Sequence, residues 1–220
     1  MKLTTTQIQY IHDFVKRKYV DYYDVQIELV DHIATAIEEK IAESPKLDFY
    51  TALQQVYEGF GRFGFLKFVE EKEKQVQRRF RKMYQRETWR FFTLPKVLLT
   101  LALAFCVYQF NSVVSFETGR NVTLVLLFSL VGFQLVYYFY QKRKFNHDFI
   151  TLRSPLTGIT FLNIVNQAVG LFAYRTLYED SIWWIVVLTT AIIIGNIANY
   201  TVGQKMIDEQ RRLYPEAFAV

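Results

Sequence analysis

From Val97 to Phe116 the chain carries no charged residue, and ahead of that run stand eight cations: Lys72, Lys74, Arg78, Arg79, Arg81, Lys82, Arg86 and Arg90. An apolar stretch of about twenty residues is what a helix needs to cross a hydrocarbon core of roughly 30 Å. The junction therefore predicts a water-soluble helix that runs up to a membrane and a second helix that enters it. Three more stretches of the same kind follow, so the expected spans are about 94–116, 122–140, 156–174 and 182–202.

The flanking charges orient these spans. On one side lie the eight cations, then Lys142, Arg143, Lys144 and Arg153, then Lys205, Arg211 and Arg212 of the tail. The other side has only Arg120 and Arg175, beside Glu117, Glu179 and Asp180. Cations next to spans are retained on the cytoplasmic side. The expected architecture is all-α: a cytosolic helical domain over 1–90, four transmembrane helices within 91–204, and a cytosolic tail over 205–220. Both termini are expected in the cytoplasm.

Composition sharpens what this excludes. The net charge of +5 could indicate nucleic acid, but the cations cluster beside apolar spans and no nucleic-acid motif accompanies them. Membrane lipid is the expected partner instead, with Arg78, Arg79, Arg81, Lys82, Arg86 and Arg90 as headgroup contacts. The single cysteine, Cys106, cannot form an internal disulfide, and no Cys/His cluster for zinc is present. No phosphate loop, nucleophile motif or His-Glu-x-x-His pattern occurs, so neither a cofactor, a metal nor an enzymatic activity is expected. The N-terminus lacks the apolar region of a signal peptide, leaving the first span as its own insertion signal.

Before the spans, helical periodicity recurs. Thr4, Thr5 and Thr6 offer N-caps to a first helix with Ile8, Ile11, Phe14 and Val15 on its apolar face. Val20–Asp24 breaks the pattern. A second helix to about Ala42 has Ile27, Val30, Ile33, Ala34, Ile37 and Ile41 as its stripe and ends before Pro45. Asp48 can cap a third helix with Ala52, Leu53, Val56 and Phe60 inward. After the turn Gly59–Gly64, a fourth starts near Phe65, with Leu66, Phe68, Val69, Val76, Phe80 and Met83 as packing positions.

The run Val25-Gln26-Ile27-Glu28-Leu29-Val30-Asp31-His32-Ile33, then Leu47-Asp48-Phe49 with Ala52-Leu53, then Phe60-Gly61, resembles the HAAS or permease-prefix type of bacterial N-terminal helical domain. The resemblance covers roughly residues 5–75. It implies a bacterial inner-membrane protein, multi-pass, whose prefix domain precedes membrane spans and serves regulatory or permease-associated interactions. It carries over no catalytic residue.

Polar side chains inside the spans are the remaining candidates. Asn163, Asn166 and Gln167, with Gly170, share one face of the third span, and Gly195, Asn196, Asn199 and Gly203 one side of the fourth; Ser129, Gly132 and Gln134 belong to the second. Amides in hydrocarbon need partners, so these faces are expected to turn inward. They read first as helix–helix contacts worth about 1 kcal/mol per hydrogen bond, and second as a binding site or solute path. Mid-depth ionisable residues, the stronger mark of transport, do not occur there. Glu28 and His32, four apart, could meet on one face, but no further metal ligand supports them. The expectation is a non-enzymatic membrane protein whose cytosolic domain binds a membrane-protein partner or a second copy. The alternative is a small oligomeric transporter or channel using the faces of spans three and four.

Overall fold

The computed structural model describes residues 2–144, 147–153 and 182–218, and among them every regular element is helical. They fall into two units. The first comprises Met1–Arg78 with His147–Thr151, the second Arg79–Asn146 with Leu152–Val220.

In the first unit α1 (Thr5–Arg17) opens on a capping box. The Thr4 hydroxyl accepts from the Gln7 amide, and the Gln7 side chain accepts from the Thr4 N–H at 2.8 Å. Lys16 and Arg17 close it, where cations suit the helix dipole. Then α2 (Tyr23–Glu43) packs on α1, and α3 (Phe49–Gly59) packs on α2. The Asp48 carboxylate caps α3 by accepting from Tyr50 N and Thr51 N at 3.0 and 3.1 Å. Hydrogen bonding from Thr51 holds this carboxyl below its usual range.

The core is the face that α2 shares with both neighbours: Ile11, Val15, Val25, Leu29, Ile33, Ile37, Ala52, Leu53 and Phe65 are all buried. Because α2 is packed from two sides, its buried arc is broader than a single stripe and takes in Val25 and Leu29, while Ile27 is only half-buried. Two expected packing residues lie outside the core. Ile8 and Leu66 are exposed; the burial at the start of the fourth helix falls one residue earlier, on Phe65. Helix α4 (Leu66–Trp89) is one continuous helix whose buried positions Val76, Phe80 and Glu87 lie along one side.

In the second unit a 3₁₀ turn, Arg90–Phe92, precedes α5 (Lys96–Val113). Trp89 and Phe92 are exposed beside it and meet edge to face. The chain then reverses at Val114–Ser115 rather than at the expected turn of 117–121, which instead forms the first turn of α6 (Phe116–Lys142). The reason is local packing: a Cβ on Gly119 would stand 3.2 Å from Asn111 Oδ1. This glycine therefore lets two helices approach instead of making a turn. The last helix, α7 (Ile182–Leu213), does not stop near residue 202 but continues through Lys205 and Arg211. The expected third span lies outside the described residues.

Helices α5 and α7 are long and apolar enough to cross a membrane by length and composition. They differ in surroundings: the apolar stretch of α5 is almost wholly exposed, whereas close to half of that of α7 is buried. Leu98, Leu99, Leu101 and Phe105 of α5 face outward, as do Val125, Leu126, Phe128 and Val136 of α6. Exposed large apolar side chains in this number are not what a soluble core helix presents.

Tyr19, just past α1, has φ +63°, a left-handed conformation that disfavours any residue with a Cβ. Replacing Tyr19 with Gly is expected to stabilise the first unit by about 0.5–1 kcal/mol, read as an upward shift of the denaturation midpoint; a loss of stability would show the tyrosine side chain to be a packing residue.

Candidate functional site

The first unit buries one carboxylate in full. Asp24, in the first turn of α2, is 4% exposed, and its partners come from 126 and 127 residues away. Its Oδ1 accepts from Ile150 N at 3.0 Å and from Val25 N at 3.2 Å. Its Oδ2 accepts from Thr151 N at 3.0 Å and from the Thr151 hydroxyl at 2.5 Å. Residues 150–153 are helical, so Asp24 performs from another element the task of an N-cap, satisfying amides that no helical carbonyl reaches.

The surroundings complete the grip. Tyr23 N donates to Asp148 O at 2.8 Å. The Tyr23 ring stacks on His147 with centroids 4.7 Å apart and meets Phe149 edge-on at 5.7 Å. Phe149 and Ile150 are buried. The preceding turn is braced by Gln26, whose side-chain amide donates to Val20 O. Among the described residues no cation pairs with Asp24; hydrogen bonds alone satisfy its charge, which they do well when they number four.

The sequence reading missed this site. In the sequence, Val20–Asp24 reads only as a break in the helical pattern, and 145–154 only as a largely polar connection between the second and third expected spans. The available signal was the short apolar set Phe149, Ile150 and Leu152 inside that connection, all now buried. The pairing itself, across so long a separation, has no local signature.

Of the expected headgroup cations, Arg78, Arg79, Arg81, Lys82, Arg86 and Arg90 are all exposed on α4 or just after it. Two of them are engaged: Arg79 pairs with Glu209, and Arg90 with Glu87 at 3.1 Å. Glu87 is 2% exposed and also accepts from Lys205 Nζ at 2.5 Å. Burial pushes this carboxyl upward, but the hydrogen bonds and charges of Lys205 and Arg90 outweigh it and hold Glu87 below its usual value.

Asn163, Asn166 and Gln167 lie outside the described residues. On α7, Asn196 and Asn199 are both buried. Asn196 donates to Ile192 O of its own helix at 2.8 Å. Asn199 Oδ1 is buried with no hydrogen-bond partner among the described residues. A Cβ on Gly195 would meet the Tyr84 hydroxyl at 2.9 Å. Glu28 does not face a metal with His32: it pairs with Lys72, while His32 lies edge-on to Phe68. No group of three or more metal-ligating side chains occurs among the described residues.

No family model, curated protein or solved structure matches this chain.

Two outcomes follow from the geometry. Asp24→Ala leaves three buried donors of residues 150 and 151 unpaired and is expected to cost about 3 kcal/mol or more. Hydrogen exchange at the Ile150 and Thr151 amides should accelerate with it, and Thr151→Val should cost about a third as much; unchanged exchange would show these amides to be held by packing alone. Glu87 has a depressed folded pKa, so its contribution is complete above the ordinary value of 4.5 and is lost as pH falls through the folded value. Glu87→Gln should accordingly flatten the acid limb of a stability–pH curve, and an unaltered limb would rule out the pairing.

Proposed function

We propose that the chain is an integral inner-membrane protein with four spans and both termini in the cytoplasm, whose N-terminal helical unit mediates regulatory or partner interactions. The observation that carries this reading is the capture of residues 147–151 by α2. Covalently, those residues belong to the connection between the second and third expected spans. The amides of Ile150 and Thr151 are nonetheless satisfied by Asp24, and Phe149 and Ile150 are buried with the N-terminal unit. A prefix that only anchored or solubilised the chain would have no need to enclose that connection. A force or partner acting on α2 acts on residue 151, and Leu152 is the next residue of the chain.

The resemblance of residues 5–75 to HAAS or permease-prefix domains supports the same assignment. So does the outward apolar surface of α5 and α6, which lipid accommodates, and so do the exposed cations Arg78, Arg81, Lys82 and Arg86, which suit anionic headgroups. The partner is a membrane protein or a second copy of the chain.

A second reading, a small oligomeric channel or transporter lined by the amide faces, is favoured by one observation: Asn199 Oδ1 is buried with no hydrogen-bond partner among the described residues. Under it Asn199→Leu abolishes conductance across a planar bilayer and leaves assembly intact; unchanged conductance rejects it.

The architecture is tested by labelling single cysteines in a Cys106→Ser background. Cysteines at Lys40 and Lys144 should both react with an impermeant reagent only from the cytoplasmic face, and one at Asn121 only from the opposite face. Reaction of Lys40 and Lys144 positions from different faces would reject the topology. Purification in mild detergent should also yield a self-associated or partner-bound form, and a strictly monomeric, partner-free protein would reject the interaction role.

A further inference from the structure

Two connections of the first unit place large apolar groups in water. Tyr19, between α1 and α2, is 91% exposed, and Phe63, between α3 and α4, is 71% exposed; Leu66 follows at 56%. All three border one recess of about 220 Å³, so they form a single patch. The backbone is arranged to present them. Tyr19 sits at φ +63°, and Phe63 stands between Gly61 at φ +76° and Gly64 at φ +52°.

Five cations lie in the segments that carry the patch. Lys16, Arg17 and Lys18 end α1, and Arg62 and Lys67 flank Phe63 and Leu66; all five are exposed. Arg17 lies over the Tyr10 ring and Lys18 over Tyr57, but among the described residues none of the five is ion-paired. Asp21 is the one carboxylate of the recess wall.

We infer that this patch is a second membrane-contact site, by which the N-terminal unit docks onto an anionic bilayer surface. Tyrosine and phenylalanine at the interface, with cations beside them, match the headgroup region in both polarity and charge. A soft interface receives protrusions from two turns at once. The site uses other cations than Arg78, Arg79, Arg81, Lys82 and Arg86 of α4, and it rests on the membrane assignment proposed above.

The test uses the full chain reconstituted into vesicles, in the Cys106→Ser background, with a nitroxide at Leu66→Cys. Its accessibility to oxygen and to a water-soluble nickel chelate is compared in phosphatidylcholine and in equimolar phosphatidylcholine and phosphatidylglycerol. A label at Leu99→Cys on α5 serves as the control for membrane insertion. The expected result is a Leu99 label in lipid in both membranes and a Leu66 label that becomes lipid-exposed only in the anionic one. Reversing Arg62 and Lys67 to Glu should lower that docked fraction by about tenfold or more, and Phe63→Ser or Tyr19→Gly should also lower it. A Leu66 label that stays in water in both membranes, with Leu99 in lipid, overturns this inference alone. Equal protection of Leu66 in detergent micelles and in both membranes overturns it in favour of a protein contact. A Leu99 label in water overturns the membrane assignment as well.

Discussion

A buried carboxylate is stable only if its surroundings replace the water it has lost, and Asp24 is the point where the first unit meets that demand. Four donors converge on two oxygens, three of them from residues 150 and 151. The arrangement is reciprocal. The amides at the start of the helical turn 150–153 have no helical carbonyl to bond, and among the described residues no cation pairs with the carboxylate. Each orphan cancels the other. Removing either leaves a buried polar group with a desolvation penalty and nothing in return. The aromatic stack of Tyr23 on His147 and the burial of Phe149 and Ile150 follow from the same contact, because they exclude the water that would otherwise compete for those hydrogen bonds.

The second unit has a counterpart in Glu87, with a different solution. Here one carboxylate is buried while its two cationic partners keep much of their length in solvent, so the desolvation cost falls mainly on a single group. Lysine and arginine can do this because their long stems cover apolar surface while the head reaches water. The exposed pair Arg79–Glu209 adds little stability by comparison, since solvent screens both partners. Along α4 the inward side thus carries Val76, Phe80 and Glu87, and the outward side carries Arg78, Arg81 and Lys82.

What was legible in the sequence was whatever depends on neighbours three or four residues apart. Thr4 and Asp48 as caps, with the apolar repeats Ile11–Val15 and Ile33–Ile37, announce α1, α2 and α3, although α2 begins at Tyr23, inside the segment that reads as a break. Boundaries set by tertiary packing were not legible. Glycine at 119 reads as a turn residue until Asn111 is placed against it, and Lys205 reads as the start of a polar tail until Glu87 is there to receive it. Leu66 and Phe65 are chemically interchangeable in a periodicity argument, and only the edge-on contacts of Phe65 with Phe14, Tyr57 and Phe60 decide which one turns inward. The Asp24 site was the least legible of all, since nothing local in either of its two segments refers to the other.

The polar side of α7 bears on the choice between an anchor and a pathway. A path needs polar groups that face a space; a packing face needs groups that face each other. Asn196 already spends its amide on the carbonyl of Ile192, one turn back, which removes it from contact with a passing solute. Gly195 is filled against by the Tyr84 hydroxyl, so the backbone there is approached by protein rather than by solvent. Ala198, Val202 and Met206, interleaved with the amides, are fully buried. These three observations describe a surface closed by close packing, in which small residues admit neighbours and amides hydrogen-bond locally. Asn199, whose Oδ1 has no hydrogen-bond partner among the described residues, stands apart from that pattern; one facing helix answers such an amide more readily than a continuous aqueous route, which would have to wet Ala198 and Val202 as well.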